Sequence, residues 1–464
     1  MTLVKDLTMM VKMKAGGQLI EPLWAKLREG RERFVPAGTL RGRFAGAVFW
    51  SFVGTAVSNF AGLVMAIIMA RIMGREGYGE VGVIISTYGI FSQLGGLGLG
   101  VTAVKYAAQL RNTRPFAVGS LLGTLLTLGA VSYALSGIAV AYFAPSLAAL
   151  LNRSALVGPI RLSSLLLPLQ GIDSIQLGIL AGFESFRKVA RVNILRIFVN
   201  LPLNIAGAYF LGLTGVILAM IVAGCFTLML NRKAVNEVLE NNAIRLRYGI
   251  AVSKLTMLWQ FSLPAFISGC LPVVSNWIVN AMLVNQRGGY MEMGLYNAAY
   301  QWRALAILVP GVCNSAVLSI QANLHAANDD KNHRNSVRGN LILQCLAAGL
   351  VVGVLAGMSS WIVRVYGKEY KNASEVLVIL AIGWFFLTPN WILWNALISK
   401  GKVWWGLLFN TVGTAALLSI AYQLGQAGAR GIALAFLYAG MIQVGLQSFY
   451  YFSSARNGPA RIAR

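Results

Sequence analysis

Twelve predominantly apolar stretches, each long enough to cross a hydrocarbon core about 30 Å thick, dictate what this chain can fold into. They lie at about 44–70, 77–104, 115–143, 157–182, 189–210, 213–230, 255–284, 290–322, 339–362, 374–398, 403–424 and 431–452. Hydrocarbon offers no water to satisfy backbone N–H and C=O groups, so each stretch has to pair its own and form a helix. Charge is correspondingly scarce, at 12% of residues against roughly 25% in an average soluble domain. The expected fold class is all-α integral membrane, with twelve transmembrane helices.

A net charge of +24 would point to nucleic acid in a soluble protein. Here the basic residues fall between the spans. Of the 39 lysines and arginines, 29 lie on the side that holds both termini, eight on the opposite side, and Arg161 and Arg303 lie inside spans. The positive-inside rule then puts both termini in the cytoplasm and makes anionic membrane lipids, not nucleic acid, the partners of this charge. Residues 1–43 mix basic and apolar positions as an interfacial amphipathic segment does, and do not read as a cleavable signal. Cys225, Cys270, Cys313 and Cys345 sit in apolar stretches without ligand spacing and read as small packing residues. No metal or bound cofactor is expected.

The chain also repeats itself. Gly212, Gly215, Leu218, Ala219, Ala223 and Gly224 recur as Gly428, Gly431, Leu434, Ala435, Ala439 and Gly440, at a constant offset of 216. A Y-x-E-x-G pattern at Tyr78, Glu80 and Gly82 recurs at Tyr290, Glu292 and Gly294, at an offset of 212. Span six thus corresponds to span twelve and span two to span eight, which makes two parallel six-helix repeats with an axis along the membrane normal. The expected organisation is a basic N-terminal segment (1–43), a six-helix bundle (44–230), a cytoplasmic linker (231–254), a second bundle (255–452) and a cytoplasmic tail (453–464).

The run from Ala70 to Ala108, with Gly77-Tyr78-Gly79 and the glycines at 95, 96, 98 and 100, resembles the first-loop and second-helix signature of Wzx-type polysaccharide flippases. The stretches 294–324, with Pro310, and 180–191 are similar to further parts of that family. The resemblance implies a MATE-like fold of the multidrug, oligosaccharidyl-lipid and polysaccharide exporter superfamily: V-shaped bundles around a central cavity, working by alternating access. It also implies a bacterial inner-membrane location and an undecaprenyl-pyrophosphate-linked oligosaccharide as substrate, carried from the cytoplasmic to the outer leaflet. A glycan polymerase complex is a candidate further partner.

Ionisable residues within spans are costly and default to functional hypotheses. Arg303 lies about 20 Å along span eight at 1.5 Å per residue, and reads as a ligand for pyrophosphate or an acidic sugar. Asp173, the deep carboxylate of span four, reads as a proton or sodium coupling site. The alternative for both is a buried structural contact, including a pair with one another; for Arg161 it is snorkelling to the headgroups. Asn276 with Asn280, and Asn297 with Gln301, share helix faces at i, i+4 spacing and offer amides to sugar hydroxyls or to neighbouring helices. Trp391 and Asn395, near Trp384, Asn390 and Trp394 on span ten, offer rings and amides for sugar, with ordinary lipid-facing packing as the alternative. Gly96 and Gly100 form a helix-contact pair. An enzyme is disfavoured because His325 and His333 lie on the cytoplasmic side and the outer loops are short. A cation-coupled multidrug exporter on the same fold is the alternative transporter reading.

Overall fold

A computed structural model describes residues 40–110, 115–249, 252–308, 330–399 and 403–456. The N-terminal segment through residue 39, Pro310, Cys313 and His325 lie outside the described residues. The chain separates into two compact units, Met1–Val53 and Gly54–Arg464. The described part of the first is the opening of α1; everything below concerns the second.

The helices are α1 (Leu40–Gly96), α2 (Leu99–Leu110), α3 (Pro115–Leu150), α4 (Val157–Ser163), α5 (Leu166–Gly182), α6 (Phe186–Asn241) and α7 (Val252–Val284). Then follow α8 (Gly289–Tyr300), α9 (Arg303–Ala306), α10 (Asp330–Gly357), α11 (Ser359–Tyr366), α12 (Ala373–Ser399), α13 (Val403–Leu424) and α14 (Gly428–Arg456). Among the described residues, seven continuous helical runs are long and apolar enough to cross a membrane, and three of them reach 45, 56 and 50 residues. At 1.5 Å per residue these measure about 68 Å or more, over twice a hydrocarbon core. Each is interrupted where glycine takes a backbone that other residues avoid: Gly74 (φ 67°), Gly212 (φ 56°, ψ −136°) and Gly428 (φ 66°, ψ −144°). Gly212 and Gly428, related by the offset of 216, thus share one conformation. Their repeat partners Gly215 and Gly431 also do the same job, since a Cβ on either would meet a carbonyl oxygen of the preceding helix, of Gly207 or Leu424.

Three apolar clusters hold the unit together. One joins residues of both halves around the ends near Gly74, Leu151, Gly212, Gly288, Tyr366 and Gly428, which we call the distal face. Near the opposite, proximal face, one cluster belongs to the first half alone, with Leu121, Leu125, Ile179 and Val238. The other belongs to the second half alone, with Val337, Leu393, Ala396 and Tyr451. Among the described residues, burial at about 25 cal/mol per Å² binds the halves to each other distally, while each keeps a core of its own proximally and α2 also meets α7 across the halves.

The connector expected at 231–254 is helical as far as Asn241, turns at Asn242–Ala243, runs irregularly to Gly249, and is helical again from Val252. Ile244 is buried, the Arg247 N–H donates to the Gly119 carbonyl at 3.2 Å, and the Gly249 N–H donates to Thr127 Oγ1 at 3.2 Å. Gly119 and Gly123 admit this strap, because a Cβ on either would lie 2.1 or 2.0 Å from the carbonyl oxygen of Arg245 or Arg247. The neighbouring end of α6 is tied back to its start, where the Lys188 ammonium donates to Glu237 at 2.8 Å and holds that carboxyl below its usual range.

Candidate functional site

The seam between the halves is built from the repeated Y-x-E-x-G pattern. A Cβ on Gly79 would lie 2.0 Å from the Tyr290 carbonyl oxygen, and one on Gly294 would lie 2.0 Å from that of Arg75, so the two stretches touch backbone to backbone. Small residues permit such approaches between helices in lipid. Arg75 reaches Glu292 across the seam at 3.5 Å, and Glu292 also accepts the N–H of Ala429 at 2.9 Å. Arg153 pairs with Glu76 at 2.6 Å and Glu80 at 2.5 Å while lying 4.8 Å from the Tyr290 ring. The Tyr290 hydroxyl donates to Leu151 O, Tyr370 to Ala70 O, Arg71 to Val365 O and Asn285 to Leu150 O. Trp277 donates to Thr87 Oγ1 at 3.0 Å. The distal face is closed.

In the second half the stretch expected as one span tightens at Gln301–Trp302. The N–H groups of Trp302, Ala304 and Leu305 bond three residues back, and α8 gives way to the short α9. Such 3₁₀ stretches inside helices mark hinges or strain. Arg303 opens α9, 5.6 Å over the Tyr300 ring, and holds no ion pair among the described residues. Tyr300 stacks on Tyr296 at 5.5 Å and meets Trp384 edge-on at 6.5 Å. Asn59 donates to the Ala304 carbonyl at 3.3 Å, so α1 rests on this turn. Asn297 donates to the Tyr78 carbonyl at 3.3 Å and fills the space left by Gly82. On α7 the Oδ1 atoms of Asn276 and Asn280 are buried and have no hydrogen-bond partner among the described residues. Each unmade bond costs about 1–3 kcal/mol, so these atoms are poised for a polar partner. Trp391 is exposed and Asn395 half-buried, whereas Trp394 packs over Gly406.

In the first half, Asp173 accepts from Asn231 Nδ2 at 2.5 Å. It lines a cavity of about 160 Å³ with Gln170, Arg196, Asn200, Thr227 and Tyr88. A water molecule occupies about 30 Å³ of liquid, so the space suits an ion or a few waters. Binding sites for drug-sized ligands run to roughly 300–1,000 Å³, and a glycan does not fit. Arg303 and Asp173 form no ion pair with one another among the described residues. Arg161, at the end of α4, is exposed.

Arg196 and Asn231 belong to this cavity although neither stands out in the sequence, where residue 231 opens the expected linker. The available signal was spacing: Arg196 and Asn200 stand four apart, as do Thr227 and Asn231, which puts each pair on one helix face. The glycine pair holds its place in packing: Gly96 faces the Tyr133 hydroxyl, and Gly100 faces Ser174 and the Gly178 backbone.

Solved structures share this fold at low identity. An inward-facing multidrug resistance MATE family transporter of the MOP superfamily aligns with a TM-score of 0.71, at 14% identity, over 87% of this chain and 96% of that one. Its outward-facing counterpart gives 0.64 at 14% identity, over 91% and 98%. A MOP superfamily transporter from Pyrococcus furiosus, described as having a binding pocket of reversed polarity, gives 0.67 at 14% identity, over 90% and 96%. No curated protein sequence matches the chain. A family model described as polysaccharide biosynthesis protein matches residues 45–319, more than half of the sequence, and the chain belongs to that family of membrane transporters.

Proposed function

We propose that the protein is a flippase that carries an undecaprenyl-pyrophosphate-linked oligosaccharide from the cytoplasmic to the outer leaflet of a bacterial inner membrane by alternating access. The observation that carries this reading is the distribution of its cores: among the described residues, the halves share one cluster distally and keep separate clusters proximally. With twelve spans and the positive-inside count, the distal face is the outer one, and this conformation awaits substrate from the cytoplasm. The higher similarity score with an inward-facing relative agrees.

In this reading Arg303, backed by Tyr300, meets the anionic headgroup, because a cation within a span lowers the cost of drawing phosphate into hydrocarbon. Asn276, Asn280, Gln301, Trp391 and Asn395 engage sugar, and Asn297 joins them when the seam parts. Asp173 is the coupling site for a proton or sodium ion, since its cavity is too small for the glycan and lies in the other half from Arg303. Family membership supports a polysaccharide substrate over a drug.

Deleting the chain should leave lipid-linked glycans on the cytoplasmic leaflet, and restoring it should deliver them to the outer one. Intact glycan translocation together with sensitivity to cationic dyes would instead identify a multidrug exporter.

A further inference from the structure

At the distal face, beside the seam, the ends of α7 and α13 enclose a cleft of about 650 Å³ with Leu150 of α3. That is within the roughly 300–1,000 Å³ of small-molecule sites. Its polar lining consists of amides, from Asn285, Gln286, Gln423 and Gln426, with the rings of Trp277 and Tyr422. Among the described residues, no charged side chain lines it. Arg287 follows the lining Gln286 directly and is exposed, and in a neighbouring pocket that shares Gln286 the Arg153 guanidinium is already paired with Glu76 and Glu80.

The cleft is partly pre-ordered. The Asn285 amide nitrogen is held by Leu150 O at 2.8 Å and Ala281 O at 2.7 Å, which leaves its oxygen to accept. The Trp277 N–H is engaged by Thr87, which fixes the ring. Among the described residues, the side chains of Gln286, Gln423 and Gln426 hold no hydrogen bond. Neutral amides beside aromatic rings match a ligand that presents many hydroxyls, some C–H faces and no charge. A phosphate would find no cation among the lining residues to offset its desolvation, and competition by pyrophosphate tests whether Arg287 at the rim supplies one.

We infer that this cleft binds uncharged sugar residues at the outer face, holding the glycan beside the seam once its headgroup has crossed. The inference rests on the flippase reading for its biological role, though binding itself is measured separately. Full-chain protein in detergent is mixed with maltotriose or chitotriose and followed by saturation-transfer NMR, with inorganic pyrophosphate as competitor. Transfer to the sugar protons is expected, roughly tenfold weaker binding in a Tyr422→Ala/Gln423→Ala double variant, and no displacement by pyrophosphate. Both residues are exposed, so the fold does not depend on them, and Tyr422→Phe should retain binding.

Absence of transfer to either sugar, equal binding by the double variant, or displacement by pyrophosphate would overturn the inference. Cellular glycan translocation is scored alongside. If it proceeds while sugar binding is absent, the cleft assignment falls and the flippase reading stands. Binding without any translocation of lipid-linked glycan has the opposite consequence.

Discussion

At the scale of single residues, the two deep charges have separate surroundings. Arg303 leans on an aromatic stack, and Asp173 sits in a small polar cavity of the other half. Replacing Arg303 by Gln should reduce glycan translocation by about 10- to 100-fold, the worth of one hydrogen bond to a charged group, with Lys restoring part of it. Normal transport by the Gln variant at wild-type protein levels would remove Arg303 from the substrate path. Both residues were legible in the sequence because a charge inside an apolar run stands out. Arg196 and Asn231 were not, since polar residues close to a helix end look like ordinary interfacial ones until packing shows that Asn231 is 1% exposed. The partner of each deep charge was likewise out of reach, because it depends on how neighbouring helices are rotated, which periodicity does not set.

At the scale of elements, glycine decides where helices turn and how closely they meet. The Y-x-E-x-G echo was visible as a repeat, and the structure places both copies against each other across the seam. Gly294→Val puts side-chain atoms where the Arg75 carbonyl lies, an overpacking that costs about 1–3 kcal/mol. It should therefore raise the population with a parted distal face by about 10-fold. A cysteine at Ala298, which is buried in the seam core, should then react with a membrane-impermeant maleimide from outside. Protection equal to that of the parent would show that the glycines do not govern closure. Interruptions without a repeat partner escaped the sequence: Leu97–Gly98 (φ 46° and 71°) splits span two, Ser164–Leu165 divides α4 from α5, and Gln301–Trp302 divides α8 from α9. Apolar composition runs unbroken through all three, so a hydropathy reading passes straight over them.

At the scale of the whole molecule, the proposed transport cycle would have the distal core part and the proximal ends meet. Leu150 and Asn285 touch across the seam, with the Asn285 amide on the Leu150 carbonyl at 2.8 Å. Cysteines at these two positions, joined by a short reducible bifunctional reagent, should stop glycan translocation, and reduction should restore it. Undiminished transport by the joined protein would mean that the halves do not separate there.

The strap along α3 bears on how far they can swing. The chain stays fastened to the first half as far as Gly249, and the first helix of the second half begins at Val252. The covalent joint between the halves is thus a pin and not a leash, with almost no slack to lend. Whatever arc the second half describes has its pivot beside Thr127, about 18 Å along α3 from its proximal start at 1.5 Å per residue, and its travel grows with distance from that point.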